Sequence, residues 1–167
     1  MSAQGRGPSA GSSHRTRWAD ERHRGPTRVL VLCTGNSCRS QMAEAFLARD
    51  GGDRVSVVSA GTHPATVHPV TIRVLAERGI DWSAARSKSM TEFLDLPFDQ
   101  VITVCDEAAE ACPVFPGGGA RVHAGFQDPA AVMGSEAVRL EAFRRIRDEI
   151  EAWAAGFVRD ELGRPRD

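Results

Sequence analysis

No stretch of this 167-residue chain is apolar for long enough to span a bilayer, and its N-terminus has no apolar h-region of the kind a secretory signal needs. A cytoplasmic protein is expected, with no membrane partner. An excess of one sign of charge is also lacking. The formal net charge is −1, which gives no reason to expect nucleic acid as a partner. There are no internal repeats. Metal-ligand spacing is missing too: His63 and His68 flank one loop, and no cysteine or carboxylate completes a set around them, so no metal site is expected. Lysine occurs once, at Lys88, while arginine supplies the positive charge elsewhere. One position is thus singled out for a compact ammonium in place of a planar fork.

What is present reads as one domain, long enough to bury a core. Residues 1–26 are rich in Gly, Ser, Arg and Pro and are expected to form a disordered tail. The folded domain is expected over 27–157, with 158–167 as a frayed C-terminal tail. An apolar run, Val29 to Leu32, reads as a buried strand, and Gln41 to Arg49 as a helix with Met42, Ala45, Phe46 and Ala48 on its apolar side. Arg54 to Ala60 reads as a second strand. Pro69 to Arg78 reads as a helix, with Pro69 in the first turn and Gly79 at the stop. A brief helix is expected over Met90 to Leu94, and a third strand over Phe98 to Val104. A helix begins at Asp106 and stops at Cys112-Pro113; the run from Pro116 to Gly119 is a flexible loop. A short fourth strand follows over Arg121 to Ala124. The last helix runs from Ser135 to about Phe157, with Phe143, Ile146, Ile150, Trp153 and Phe157 as its core stripe. Strands alternating with helices imply an α/β domain: a doubly wound four-stranded parallel sheet with helices on both faces. In such sheets ligands bind beyond the C-terminal strand ends, where Cys33, Cys105 and the loop holding Asp128 all fall.

The first strand runs into Cys33-Thr34-Gly35-Asn36-Ser37-Cys38-Arg39-Ser40, and then into a helix. A loop entering a helix N-terminus turns several backbone N–H groups into one concavity and so cradles an anion. Gly35 and Asn36 are residue types that tolerate the left-handed backbone such a loop needs. Arg39 adds a fork that grips an oxyanion in two places. The N–H groups and Arg39 together are expected to make Cys33 a thiolate. Two of the four cysteines, Cys33 and Cys38, lie in this loop, which suits a reduced cytoplasm better than a disulfide framework.

The run CTGNSCRSQMAEAFL resembles the phosphate-binding loop of the low-molecular-weight tyrosine phosphatases, and especially that of the arsenate reductases sharing their fold. The resemblance implies that Cys33 is the nucleophile, Arg39 binds the oxyanion, Ser40 supports the thiolate and Asn36 props the loop. In some of these reductases potassium lies behind the loop, on residues matching Asn36, Glu44 and Ser59 and on an acid aligning near Lys88. The resemblance thus suggests that the Lys88 ammonium takes the place of that ion. The phosphatases follow their Asp-Pro with tyrosines that shape a pocket for a phenolic ring. This chain has Asp128-Pro129-Ala130-Ala131-Val132 and no tyrosine anywhere, which argues against an aryl phosphate substrate. Asp128 is the expected proton source for the departing oxygen.

Cys105 and Cys112 are seven residues apart. On an intact helix that places them about 10.5 Å apart along the axis. A disulfide needs Cα atoms within about 7 Å, so the segment must unwind for the pair to bond. The same spacing occurs in the thioredoxin-coupled arsenate reductases, and the resemblance implies that Cys105 and Cys112 are the second and third sulfurs of a relay. Cys38 is a spacer in the loop. The expected activity is reduction of arsenate to arsenite, with thioredoxin as electron donor, no metal or organic cofactor, and a monomeric enzyme. The competing readings are a phosphatase using Cys33, Arg39 and Asp128 alone, and a non-catalytic oxyanion or redox sensor.

Overall fold

The computed structural model describes residues 25–116 and 119–162. The tail expected over 1–26, save its last two residues, lies outside the described residues, as do Gly117 and Gly118. Four parallel strands form one sheet: β1 (Thr27–Cys33), β2 (Val55–Gly61), β3 (Gln100–Thr103) and β4 (Ala120–His123), in the order β2-β1-β3-β4. The central strand is β1. Its Val29, Leu30, Val31 and Leu32 are fully buried, the continuous apolar run that a parallel strand covered on both faces requires.

The helices flanking the sheet are α1 (Arg39–Gly51), α2 (Pro69–Ala76), α3 (Asp106–Glu110) and α4 (Glu136–Phe157). Helix α1 begins at Arg39, two residues before the expected start, and packs on α4 and β2. It buries Met42, Ala45 and Phe46 as expected, together with Ala43 and Leu47, but leaves Ala48 exposed. Helix α2 stops two residues short of Arg78, and Gly79, at φ 75°, turns the chain out. The segment over Met90–Phe93 is a 3₁₀ turn. Ser135 caps α4 by accepting from the Val138 N–H, and Phe143, Ile146, Ile150 and Phe157 are buried along it. Trp153 is half-buried, edge-on to Phe126. The chain does not fray directly after Phe157: a π-helical turn, Val158–Leu162, continues α4 and buries Val158. Its apolar side chain still finds the core. Residues 163–167 of that expected tail lie outside the described residues. No helix among the described residues is long and apolar enough to cross a membrane.

The loop after β1 is held from outside by the loop after β2. Backbone N–H groups of Thr62, His63, Ala65 and His68 donate to the carbonyls of Cys33, Thr34, Gly35 and Ser37 at 2.9–3.1 Å. With those carbonyls engaged outward, the loop's own N–H groups are left for its inner side. The close approach depends on Gly61, where a Cβ would sit 2.5 Å from the Thr34 carbonyl oxygen and 3.0 Å from the Asn36 nitrogen. A Gly61→Ala variant is therefore expected to lose about 1–3 kcal/mol of stability in chemical denaturation and to bind anions in the loop more weakly. Wild-type values for both would show that this contact is not tight.

Candidate active site

Cys33 ends β1, opposite Gly61 on β2, and is 3% exposed. Only Asn36 of the two expected residues adopts the left-handed conformation, at φ 48°; Gly35 does not. Asn36 is fully buried and its amide braces the turn. Its Nδ2 donates to Ser40 Oγ and Ser59 Oγ, both at 2.9 Å, and its Oδ1 accepts from the Lys88 N–H at 2.8 Å and from Gln41 Nε2 at 3.0 Å. Cys38 holds the N-cap position of α1 without a side-chain cap, so α1 opens toward the loop with its positive dipole end.

Arg39 reaches across this cup. Its Nη1 donates to the Phe126 carbonyl at 3.1 Å, and its Nη2 lies 3.9 Å from Asp128 Oδ2. Its Nε is buried and has no hydrogen-bond partner among the described residues. An unpaired buried guanidinium N–H is costly, and an oxyanion in the loop would satisfy it. Asp128 comes to the same place because it caps the 3₁₀ turn Pro129–Ala131, its Oδ1 accepting from the Ala130 N–H at 2.9 Å.

Cys105 follows β3 and caps α3, its sulfur accepting from the Ala108 N–H at 3.4 Å. It lies 3.4 Å from Thr34 Oγ1, and Thr34 Oγ1 donates to Glu107 Oε2 at 2.9 Å. The thiols of Cys33 and Cys105 are near enough that each opposes the ionisation of the other. The Cys105 pKa is drawn down to about 5, chiefly by the neighbouring Cys33 thiol and then by Thr34 and the Ala108 N–H, against the pull of burial. Cys33 is pushed up by that same neighbour and by burial, against the pull of Arg39. The expected thiolate on Cys33 therefore has a competitor in the second sulfur. Arg39 does act on it, but the sequence does not show that a second thiol sits against it.

The helix between the two downstream cysteines is also shorter than the spacing argument assumed. Helix α3 ends at Glu110 and Ala111 is its C-cap, so Cys112 lies outside it. Pro113 disfavours helical backbone at the residue before it. Cys112 is half-buried, and its thiol donates to the Pro113 carbonyl at 3.6 Å. All four cysteines are free thiols; burial pushes the Cys38 thiol up, and its sulfur donates to Ser37 Oγ at 3.8 Å.

Behind the loop, Ser59 Oγ donates to Glu44 Oε2 at 2.6 Å, and Lys88 Nζ lies 3.9 Å from the same oxygen while donating to the Arg86 carbonyl at 2.9 Å. Burial raises the Glu44 pKa. His68 Nδ1 accepts from the Val70 N–H and so caps α2, its ring 4.8 Å from that of Phe143, while His63 Nδ1 bonds with the Thr62 hydroxyl. Sequence reasoning missed Ser87, which donates to the Gly35 carbonyl, Thr71, which donates to that of Ser37, and Glu107. They come from remote segments with no shared spacing. Only Gln41, directly after the loop, carried a local signal.

The family profile described as low molecular weight phosphotyrosine protein phosphatase matches residues 28–166. The arsenate reductase of Halalkalibacterium halodurans is 43% identical over 122 residues, covering 73% of this chain and 88% of that protein. A solved structure described as an arsenate reductase in oxidized state superposes with a TM-score of 0.69 at 28% identity, over 80% of this chain and 97% of the other. The thioredoxin-dependent arsenate reductase of Corynebacterium glutamicum superposes with a TM-score of 0.55 at 31% identity, over 77% of this chain and 61% of that one.

If the neighbouring thiol sets the charge, a Cys33→Ala variant removes the largest influence holding Cys105 at about 5. The midpoint for alkylation of Cys105 is then expected at higher pH, followed by mass spectrometry across a pH series. A midpoint that stays near 5 would mean that Thr34 and α3 alone hold the charge.

Proposed function

The chain belongs to the low molecular weight phosphotyrosine protein phosphatase family, and from that premise we propose that it is an arsenate reductase working through a three-cysteine relay. The observation that carries this reading is the sulfur of Cys105 at the oxyanion loop, 3.4 Å from the hydroxyl of Thr34, the residue next to Cys33. A hydrolase of this fold needs one sulfur there; a two-electron reductase needs a second within reach of the first.

Arsenate enters the cup formed by Thr34, Gly35, Asn36, Ser37, Cys38, Arg39 and Ser40, where the loop N–H groups and Arg39 hold its oxygens. The Cys33 thiol gives its proton to the neighbouring Cys105 sulfur, and the Cys33 thiolate attacks arsenic. Ser40, whose oxygen already accepts from Asn36, keeps its hydroxyl proton for that thiolate. Asp128 protonates the departing oxygen, which leaves as water. Cys105 then loses its proton and attacks Cys33 Sγ. The sulfur–arsenic bond breaks, its electron pair stays on arsenic, and arsenite leaves behind a Cys33–Cys105 disulfide. Two thiols are oxidised and As(V) becomes As(III). Cys112 attacks Cys105, freeing Cys33, and the Cys105–Cys112 disulfide is reduced by thioredoxin. Little must unwind for this, since α3 is only five residues long, far below the length at which an isolated helix holds itself. No organic cofactor takes part. The enzyme is read as a monomer, and four free thiols suit a cytoplasmic setting.

In this reading the Lys88 ammonium replaces the potassium ion. The donors present do not fit the ion as well: Asn36 Oδ1 already accepts two N–H groups, and Glu44 already faces a cation. A Lys88→Ala variant is expected to lose about 2 kcal/mol of stability and to regain part of it in potassium salts. Unchanged stability and turnover, with or without potassium, would dispose of the substitution of lysine for the ion.

The phosphatase reading is kept alive by Cys33, Arg39 and Asp128, which suffice for phosphate ester hydrolysis. One pair of assays separates the two. Thioredoxin-coupled arsenite production is expected to stop in Cys105→Ala and in Cys112→Ala. Any hydrolysis of a small phosphate ester is expected to persist in both. Full arsenate turnover in either variant would rule out the relay.

A further inference from the structure

Because Cys112 stands beyond the end of α3, something other than the helix must hold it. The edge strand β4 does so. Arg121 Nη2 donates to the Pro113 carbonyl at 2.6 Å, and Nη1 reaches the Cys112 carbonyl at 3.5 Å. The Cys112 thiol donates to the same Pro113 oxygen. The guanidinium and the sulfur are therefore neighbours on one acceptor, and the carbonyls of Cys112 and the next residue are tied to one side chain. Two residues along β4, on the same face of the strand, His123 Nε2 meets Asp106 Oδ1 at 3.0 Å while its Nδ1 meets Thr103 Oγ1 at 2.8 Å. The segment from Cys105 to Cys112 is thus tied to β4 at both ends, with five helical residues between.

We propose that Arg121 is the positioning residue of the third sulfur, holding Cys112 on the edge of the sheet for its attack on Cys105, with His123 anchoring the start of the same segment. This rests on the relay proposed above. The step is a disulfide exchange. The Cys112 thiol gives its proton to solvent, its sulfur attacks Cys105 Sγ, the Cys105–Cys112 bond forms and the Cys33–Cys105 bond breaks. Cys33 leaves as a thiolate beside Arg39, with no net oxidation. Burial opposes the ionisation of Cys112, and Arg121 acts against that penalty. Once the thiol has lost its proton, the Pro113 carbonyl no longer attracts it, and the guanidinium on that oxygen does. Two donors in a fixed fork are what hold two consecutive carbonyls; an ammonium of equal charge cannot reproduce the pair.

The test is one turnover with arsenate and no reductant, stopped by alkylation, with disulfides mapped by mass spectrometry in the full-length wild type, Arg121→Ala, Arg121→Lys and Arg121→Gln. Wild type is expected to hold mainly Cys105–Cys112. Arg121→Ala is expected to release its arsenite and to accumulate Cys33–Cys105, with thioredoxin-coupled turnover down about tenfold. In the reduced proteins, alkylation of Cys112 should move to higher pH in Arg121→Ala and Arg121→Gln and return toward wild type in Arg121→Lys. A merely structural contact would not sort the variants by charge. The assignment is overturned if Arg121→Ala shows the wild-type disulfide distribution and alkylation profile, or if Arg121→Gln matches wild type in both. A wild type that releases arsenite without ever forming Cys105–Cys112 sinks the relay itself, and this assignment with it. Should Arg121→Ala fail to fold, Arg121→Gln and Arg121→Lys decide the matter through the same alkylation profiles.

Discussion

Backbone hydrogen bonds between two loops are the constraint on which the rest depends. The segment after β2 donates to four carbonyls of the segment after β1, which leaves the latter's N–H groups free of competition from those carbonyls. Without that pairing the carbonyls would compete for the same space, and no concentration of positive charge could form for an anion to meet. Gly61 permits the approach, Asn36 supplies the single left-handed residue, and its amide ties the loop to Ser40, Ser59 and Lys88. Arg39 then lies over a framework that cannot relax away from it, and its Nε waits for an acceptor.

A second consequence is the economy of charge among the sulfurs. Two buried thiols in contact cannot both ionise, since the second would place like charges together in a poorly solvated site. The ionisation of Cys33 therefore opposes that of Cys105, and in the proposed relay each must be the nucleophile in its turn, first Cys33 and then Cys105. Thr34 sits between them, its hydroxyl proton directed to Glu107 or to Cys105, which couples the oxyanion loop to the first turn of α3. The third sulfur is treated differently. It is held by the edge strand and not by the helix, so in the proposed relay α3 can unwind and bring the two sulfurs together while Cys112 stays tied to β4.

Much of this was legible from short-range pattern. Val29 to Leu32 announced the central strand, Ser135 and the Phe143–Phe157 stripe announced the last helix, and the cysteine loop with its arginine announced an anion cup. These features depend on residues within a turn or two of one another. The ends of elements were less legible. Helix α1 begins earlier than its apolar pattern because its first turn is fixed by the loop. The chain after Phe157 continues because Val158 finds the core.

What the sequence by itself determined was the strand–loop–helix unit that holds Cys33 and Arg39 and the parallel α/β architecture, since local hydrogen bonding and hydrophobic periodicity specify these. Only the tertiary structure decided that the Cys105 sulfur meets Thr34, that Lys88 faces Glu44, that Glu107 reaches Thr34, and that Arg121 bonds the Cys112 carbonyl. Each of those pairs lies on different elements, and the contact arises from how β1, β3 and β4 stand side by side in the sheet. Ionisation and reach depend on distance and burial, and neither is written along a single segment.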